Sequence, residues 1–396
     1  MPKILRILNR LNVGGPTYNV AYLSKYLNDS YETRVLAGHK DLHEGSSAYV
    51  LNDLGVAFDY VPGMFRQLNP VNDLRAYRFI QDVVNQYKPD IVHTHAAKAG
   101  ALGRLAAYYS KNRPKAIIHT YHGNVFDGYF SPLKTRIFLS VERYLCKLST
   151  AIIAISEVQK QEMVEKYKLA PAEKIHVIRL GFDLQKFQDD RVAKRKAFRD
   201  FYHLADDTVV VTIVGRLAPV KNHLMFIDVI NGIKKKSSSQ KIKFFIVGDG
   251  ERRNNIVALM ESYSISYCLP EDTKYEADVI LTSWRKDIDV INAGSDIVAL
   301  TSINEGTPVS IIEAMASARA VISTDVGGIR DIISDGNNGI IAAQDILDFT
   351  EKLFMLASDK LLRNRIAING EVFALNNYSY RRLIKDIEQL YKNILA

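Results

Sequence analysis

Cysteine is nearly absent from the 396 residues, with only Cys146 and Cys268. Two thiols cannot build a disulfide framework or a cysteine-based zinc site, and they fit a reducing compartment. Tryptophan occurs once, as Trp284. No apolar run approaches the roughly 18 residues that span a bilayer. The N-terminus carries Arg6 and Arg10 where a signal peptide would stay apolar, so it reads as a first strand. A cytoplasmic protein is the expectation. Low-complexity segments and short repeats are missing too. With 47% hydrophobic and 24% charged residues, the composition excludes a disordered or collagenous chain. At roughly 150 residues per domain, the length suggests two domains or three.

Short apolar, β-rich runs alternate with longer amphipathic segments. Strands are expected at 4–8, 33–37, 59–61, 91–94, 116–120 and 151–155, then at 209–214, 243–247, 279–282, 297–300 and 321–323. Helical spacing falls between them, as in 17–27, 74–87 and 308–318. This alternation predicts parallel sheets with helices on both faces. The pattern restarts near residue 209, after a charged stretch without strand signals at 189–200. Two doubly wound α/β domains with a hinge near 180–190 are therefore expected, facing across a cleft. In such sheets, ligands bind beyond the carboxyl ends of the strands.

Charge is unevenly distributed. Residues 1–185 hold 24 Lys+Arg against 16 Asp+Glu, whereas 186–396 hold 28 of each. A basic half suits an anionic surface or simple solubility. The segment 129–147 interleaves bulky apolar side chains with Lys134, Arg136, Arg143 and Lys147 at helical spacing. Such a helix can lie on an anionic membrane, or it can pack in the core with a wet basic face.

Several strand–loop–helix junctions carry chemistry. The Gly14-Gly15 turn after the first strand lets backbone amides approach an anion, although by itself the motif reads more readily as a plain turn. After the strand at 209–214, Arg216 and Lys221 flank a loop and can grip a diphosphate between a planar fork and a point charge. From Glu305 through Gly306, Thr307, Pro308 and Val309 to Glu313, a loop carboxylate and a helix carboxylate bracket backbone amides. Pro308 is placed as the first helical residue. Gly248 belongs to a further glycine turn that lacks a complete dinucleotide fingerprint. Trp284 and Arg285 either frame a base or pack. His93 and His95 alternate on one strand, so both rings point to one face, and no third metal ligand accompanies them. His122 lies just past a strand end. Asp287-Ile-Asp289 matches the DxD of metal-dependent sugar transferases, but Asp287 reads as a helix cap.

Together these motifs resemble the retaining GT-B glycosyltransferases of family 4. Glu305 and Glu313 match that family's E-x7-E signature, and Arg216 with Lys221 is similar to its diphosphate clamp. The resemblance implies a GT-B fold of two Rossmann-like domains. Residues 1–184 would form the acceptor domain, with the final helix 378–396 crossing back to it, and 185–377 the donor domain. It implies transfer of a hexose or N-acetylhexosamine from a nucleotide-diphosphate sugar, with uridine favoured, without metal or other cofactor. Catalysis would fall to His122, Arg216, Lys221 and Glu305. Donor binding would fall to Gly14, Gly15, Gly248, Trp284, Arg285, Gly306, Thr307, Pro308, Val309 and Glu313. The acceptor is expected to be a lipid-linked sugar or another saccharide of surface polysaccharide synthesis, reached peripherally at the inner face of the cell membrane. Nucleic acid is not an expected partner. A GT-B sugar-nucleotide epimerase and a non-catalytic nucleotide-sugar binder are the alternatives.

Overall fold

The structure, a computed structural model, describes residues 1–11, 15–27, 29–40, 46–123, 132–236, 241–272 and 275–396. The chain forms two compact units: Met1–Phe182 with Tyr378–Ala396, and Asp183–Asn377.

The first unit is built on strands β1 (Lys3–Leu8), β2 (Glu32–Ala37), β3 (Phe58–Tyr60), β4 (Ile91–His95), β5 (Ala116–Tyr121), β6 (Ala151–Ala154) and β7 (Ile175–Val177). They form one parallel sheet in the order β3-β2-β1-β4-β5-β6-β7. Every residue of β4, β5 and β6 is buried, as parallel strands covered on both faces require. The covering helices are α1 (Gly15–Tyr26), α2 (Ala48–Asp53), α3 (Pro70–Tyr87), α4 (Ala97–Tyr108), α5 (Pro132–Leu148) and α6 (Glu157–Gln161). Asn69 caps α3 by accepting the Val71 and Asn72 amides, with Pro70 following as a residue that needs no amide partner.

The second unit repeats the layout with β8 (Val209–Val214), β9 (Ile242–Val247), β10 (Tyr267–Cys268), β11 (Val279–Leu281), β12 (Ile297–Leu300), β13 (Ala320–Thr324) and β14 (Ile340–Ala342). Its order is β10-β11-β9-β8-β12-β13-β14. Around it lie α7 (Arg191–Phe201), α8 (His223–Lys235), α9 (Arg253–Ser262), α10 (Ile288–Gly294), α11 (Val309–Ala316), α12 (Ile346–Ser358) and α13 (Lys360–Tyr378). The core beneath α8 is apolar, with Phe226, Ile230, Phe244 and Ile246 packed together. The charged stretch at 189–200 proves to be mostly α7.

The last helix, α14 (Tyr380–Leu395), belongs to the first unit. Ser379 caps it by accepting the Arg382 amide. Leu383, Ile387, Leu390 and Tyr391 bury one stripe against Leu23, Leu27 and Tyr31. Burial of such side chains stabilises by roughly 1.5–3 kcal/mol each. The approach is close: a Cβ on Gly181 would lie 2.6 Å from that of Leu383.

Candidate active site

In the second sheet the strand order reverses between β8 and β12, where the loops leaving the two strands must part to opposite faces. Such a switch point opens a crevice at the carboxyl edge. Residues 215–222 leave β8 and residues 301–308 leave β12. Here Lys221 Nζ lies 2.5 Å from Glu305 Oε1, and Ser302 Oγ donates to the same oxygen at 2.6 Å. The loops are also stitched through their backbones. Ile303 N donates to Val220 O at 2.8 Å, and Thr301 Oγ1 donates to Asn222 O at 3.0 Å. Asn222 takes the left-handed conformation, φ 50°, that ends the turn and starts α8.

Two glycines after β13 pin Glu305 from the other side. A Cβ on Gly327, φ +49°, would lie 1.9 Å from Glu305 O, and one on Gly328 would lie 2.0 Å from Gly306 O. Gly328 N donates to Glu305 O at 3.0 Å. No larger residue fits there, so the Gly-Gly pair is part of the site's construction. Pro308 is the N-cap of α11 rather than its first helical residue, because its ψ of 94° is still extended. Among the described residues, the amides of Gly306 and Thr307 meet no acceptor. A Cβ on Gly306 would meet open space. The result is a short row of donors beside Glu305, continued by Val309 in the first turn of α11.

Glu313 lies half-buried on α11. Burial pushes its carboxyl up to about 7; Lys186 opposes the rise and Asp289 adds to it. Neither neighbour follows from the sequence motif. Asp289 sits on α10 and is held by Lys194 at 2.9 Å.

The remaining residues of this unit are less gathered. Gly248, φ +136°, brings β9 against β8, since a Cβ there would lie 2.0 Å from Gly215 O. Arg216 is largely exposed and pairs with Glu251 at 3.0 Å, not with Glu305. Trp284 is 64% exposed. Arg285 points Nε and Nη2 at Asp287, at 2.8 and 2.5 Å. Asp287 is the N-cap residue of α10, as the sequence predicts, but its side chain is taken by this ion pair and makes no cap bond.

In the first sheet the order reverses between β1 and β4. Gly14 lies outside the described residues; Gly15 opens α1, where an added Cβ would touch only Leu180, at 3.7 Å. His122 follows β5. Its Nε2 lies 3.0 Å from His95 Nδ1 at the end of β4, and burial drives its pKa down to about 3. The preceding Tyr121 donates to Glu142 at 2.5 Å, and Glu142 pairs with fully buried Arg104 at 2.7 Å. That network, which sequence patterning did not reveal, fixes the end of β5 against α4 and α5.

Two family descriptions match the chain. Residues 13–186 match "Glycosyltransferase Family 4", and residues 208–359 match "Glycosyl transferases group 1". Over 347 residues the chain is 29% identical to the Escherichia coli UDP-Gal:alpha-D-GlcNAc-diphosphoundecaprenol alpha-1,3-galactosyltransferase, covering 87% of this chain and 86% of that one. It is 25% identical to the Campylobacter jejuni N,N'-diacetylbacillosaminyl-diphospho-undecaprenol alpha-1,3-N-acetylgalactosaminyltransferase over 354 residues, covering 87% and 89%. The crystal structure of Anabaena HepE in complex with UDP superposes with a TM-score of 0.81 at 20% identity, covering 99% of this chain and 100% of that one.

Proposed function

This chain belongs to glycosyltransferase family 4, with the GT-B fold, and we propose that it is a retaining enzyme moving a hexose or N-acetylhexosamine from a UDP-sugar to a hydroxyl of a lipid-linked sugar. The observation that carries this reading is the Lys221–Glu305 pair at the mouth of β8 and β12. A partly buried ammonium held by one carboxylate is a resting arrangement that an incoming diphosphate can replace. Lys221 then serves the phosphates, and Glu305 is released to accept from sugar hydroxyls. Charge-assisted bonds of that kind contribute roughly 1.5–3 kcal/mol each. Arg216 gives up its exposed partner Glu251 with little loss, since such surface pairs are worth about 0–1 kcal/mol. Glu313 holds the ribose, and Gly248, Trp284 and Arg285 border the nucleotide.

Chemistry follows from that grip. As the bond from anomeric carbon to diphosphate oxygen breaks, negative charge grows on the phosphate. Lys221, Arg216 and the amides of Gly306 and Thr307 stabilise it without reorganising, with no call on a metal ion. The acceptor hydroxyl attacks the same face that the diphosphate leaves, and a phosphate oxygen takes its proton. The two relatives named for action on diphospho-undecaprenol sugars support the acceptor class. The test is product NMR from a UDP-sugar and a polyprenyl-diphosphate-sugar acceptor. An axial anomeric linkage from an axial donor supports retention; the equatorial product contradicts it, and a changed sugar without acceptor points to an epimerase.

A basic, apolar-edged surface on α5 supports a membrane-borne acceptor. Leu133, Ile137, Val141 and Tyr144 are exposed along one face, with exposed Lys134, Arg136 and Lys147 beside them. No helix among the described residues is long and apolar enough to cross a membrane. The stripe suits the surface of an anionic leaflet. Co-sedimentation with phosphatidylglycerol vesicles, weakened by salt and by Ile137→Glu, is the expected outcome. No binding at low salt contradicts it.

A further inference from the structure

The first unit holds a cavity of about 470 Å³ that the proposed chemistry does not use. It lies at the amino ends of β6 and β7, between the last turn of α5 and the chain that enters β7. Ligands that react on such sheets sit at the carboxyl ends, so a reacting sugar is not its occupant. Val164, Leu169 and Pro171 supply an apolar wall, and Lys147, Lys168 and Lys174 supply three ammonium groups. No carboxylate lines the cavity, and none of the three lysines forms an ion pair among the described residues. Lys147 and Lys168 are exposed; Lys174 is half-buried, and burial pulls its pKa below the ordinary lysine value. Among the described residues the Lys174 Nζ reaches one acceptor, the carbonyl of Lys147 at 3.4 Å. The wall is shaped by two departures from regular backbone. Glu162–Lys166 winds as a π-helix, with Tyr167 N donating to Glu162 O at 2.9 Å, and such wide turns are frequent at functional sites. Lys168 then takes the left-handed conformation, φ 51°, which a residue with a Cβ adopts only at a cost. Arg143 of α5 ties this turn down, donating to Tyr167 O at 2.8 and 3.1 Å and to Lys168 O at 3.3 Å.

An apolar pocket edged by cations and free of carboxylates selects an anionic amphiphile. A free phosphate would leave the apolar wall uncovered, and an uncharged lipid would leave the ammonium groups without a counter-charge. The cavity also continues the surface of α5. Ile137, Val141, Tyr144 and Lys147 follow one another at spacings of four, three and three and are all exposed, so the apolar stripe runs to the cavity. We propose that this cavity seats the glycerol-phosphate end of a single anionic phospholipid, with its phosphate on Lys147, Lys168 and Lys174 and the head of an acyl chain against Val164, Leu169 and Pro171. The proposal takes the α5 membrane surface as its setting and goes beyond it. A stripe can slide and turn on any anionic leaflet, whereas a seated lipid pins one point of the unit to it. Nothing in it depends on the donor, the acceptor or the stereochemistry of transfer.

Calorimetric titration of the full-length chain with dihexanoyl phosphatidylglycerol, kept below its micellar concentration, tests the cavity without a membrane. Saturable binding is expected, at least about 10-fold tighter than that of dihexanoyl phosphatidylcholine or of glycerol 3-phosphate. Lys168→Asn combined with Lys174→Gln should weaken it at least about 10-fold. Asparagine tolerates the left-handed backbone at residue 168, so that loss reports the missing charge and not a misfolded turn. Ala170 also lines the cavity, and Ala170→Trp, which fills it, should weaken binding as strongly. Equal affinity for the two lipids overturns the proposal, as do equally tight binding of glycerol 3-phosphate, wild-type affinity in the double variant, and no binding at all. Ile137→Glu keeps the cavity apart from the α5 stripe: it should lose sedimentation with phosphatidylglycerol vesicles and still bind the soluble lipid. A wild type that binds the soluble lipid but ignores those vesicles would remove the α5 surface and leave the cavity's ligand assigned.

Discussion

The two sheets share a topology, but their polar groups are distributed differently. In the second unit the charges stand in loops beyond β8 and β12, where Lys221 and Glu305 neutralise each other. In the first unit the polar groups lie on the strands themselves: Arg6 on β1, His93 and His95 on β4, and His119 on β5, all fully buried. Loop ions can change partners at small cost. Strand imidazoles cannot, and burial keeps them neutral. The difference suggests a division of labour, with exchangeable charge for an anionic donor in one unit and a rigid, uncharged wall of hydrogen-bonding rings in the other.

The comparison can be broken most decisively at Glu305. Glu305→Ala should lower kcat/KM about 100-fold, the scale of removing one preorganised polar group from a transition-state site. His122→Phe should cost less, about 10-fold, because it removes one neutral hydrogen bond.

Protons sharpen the contrast. His93, His95, His119 and His122 all stay neutral when folded, His122 down to about 3, whereas unfolded imidazoles protonate near 6.5. Below 6.5 the unfolded chain binds more protons, so stability present above that pH is lost as pH falls. The melting temperature should drop steadily from pH 6.5 towards pH 4. A flat profile would contradict neutral burial. Glu313 acts in the opposite direction. Its carboxyl, pushed up to about 7, ionises between pH 6 and 8, and the ionised form is the better ribose acceptor. UDP affinity should rise over that interval by up to about 10-fold, and Glu313→Gln should leave only the titration of UDP itself. The smallest effect is expected at Glu251. Glu251→Gln should change UDP affinity less than about 3-fold, because the pair it forms with Arg216 is exposed.

Much of this architecture can be read from sequence because interior parallel strands are continuous apolar runs. Val209–Val214 and Ile297–Leu300 have their expected bounds. The strands that escaped are β7, β10 and β14, all at sheet edges and two or three residues long, too short for a run to register. In the site, the loop glycines, Lys221 and the two glutamates follow from strand–loop–helix punctuation and from family likeness. Their pairings do not. Lys221 and Glu305 are 84 residues apart, and Arg6 meets Tyr391 across 385, so no local pattern records either contact. Arg285 is another case: its two bonds to Asp287, through Nε and Nη2, are not written in the motif either.

The central claim is that the mouth of the second sheet grips a nucleotide diphosphate by taking Lys221 from Glu305. Calorimetric titration of UDP into the wild type and Lys221→Ala tests it most directly. Binding by the wild type, weakened at least about 10-fold in Lys221→Ala, is the predicted result, equivalent to about 1.4 kcal/mol. Equal affinity in the two proteins would contradict it.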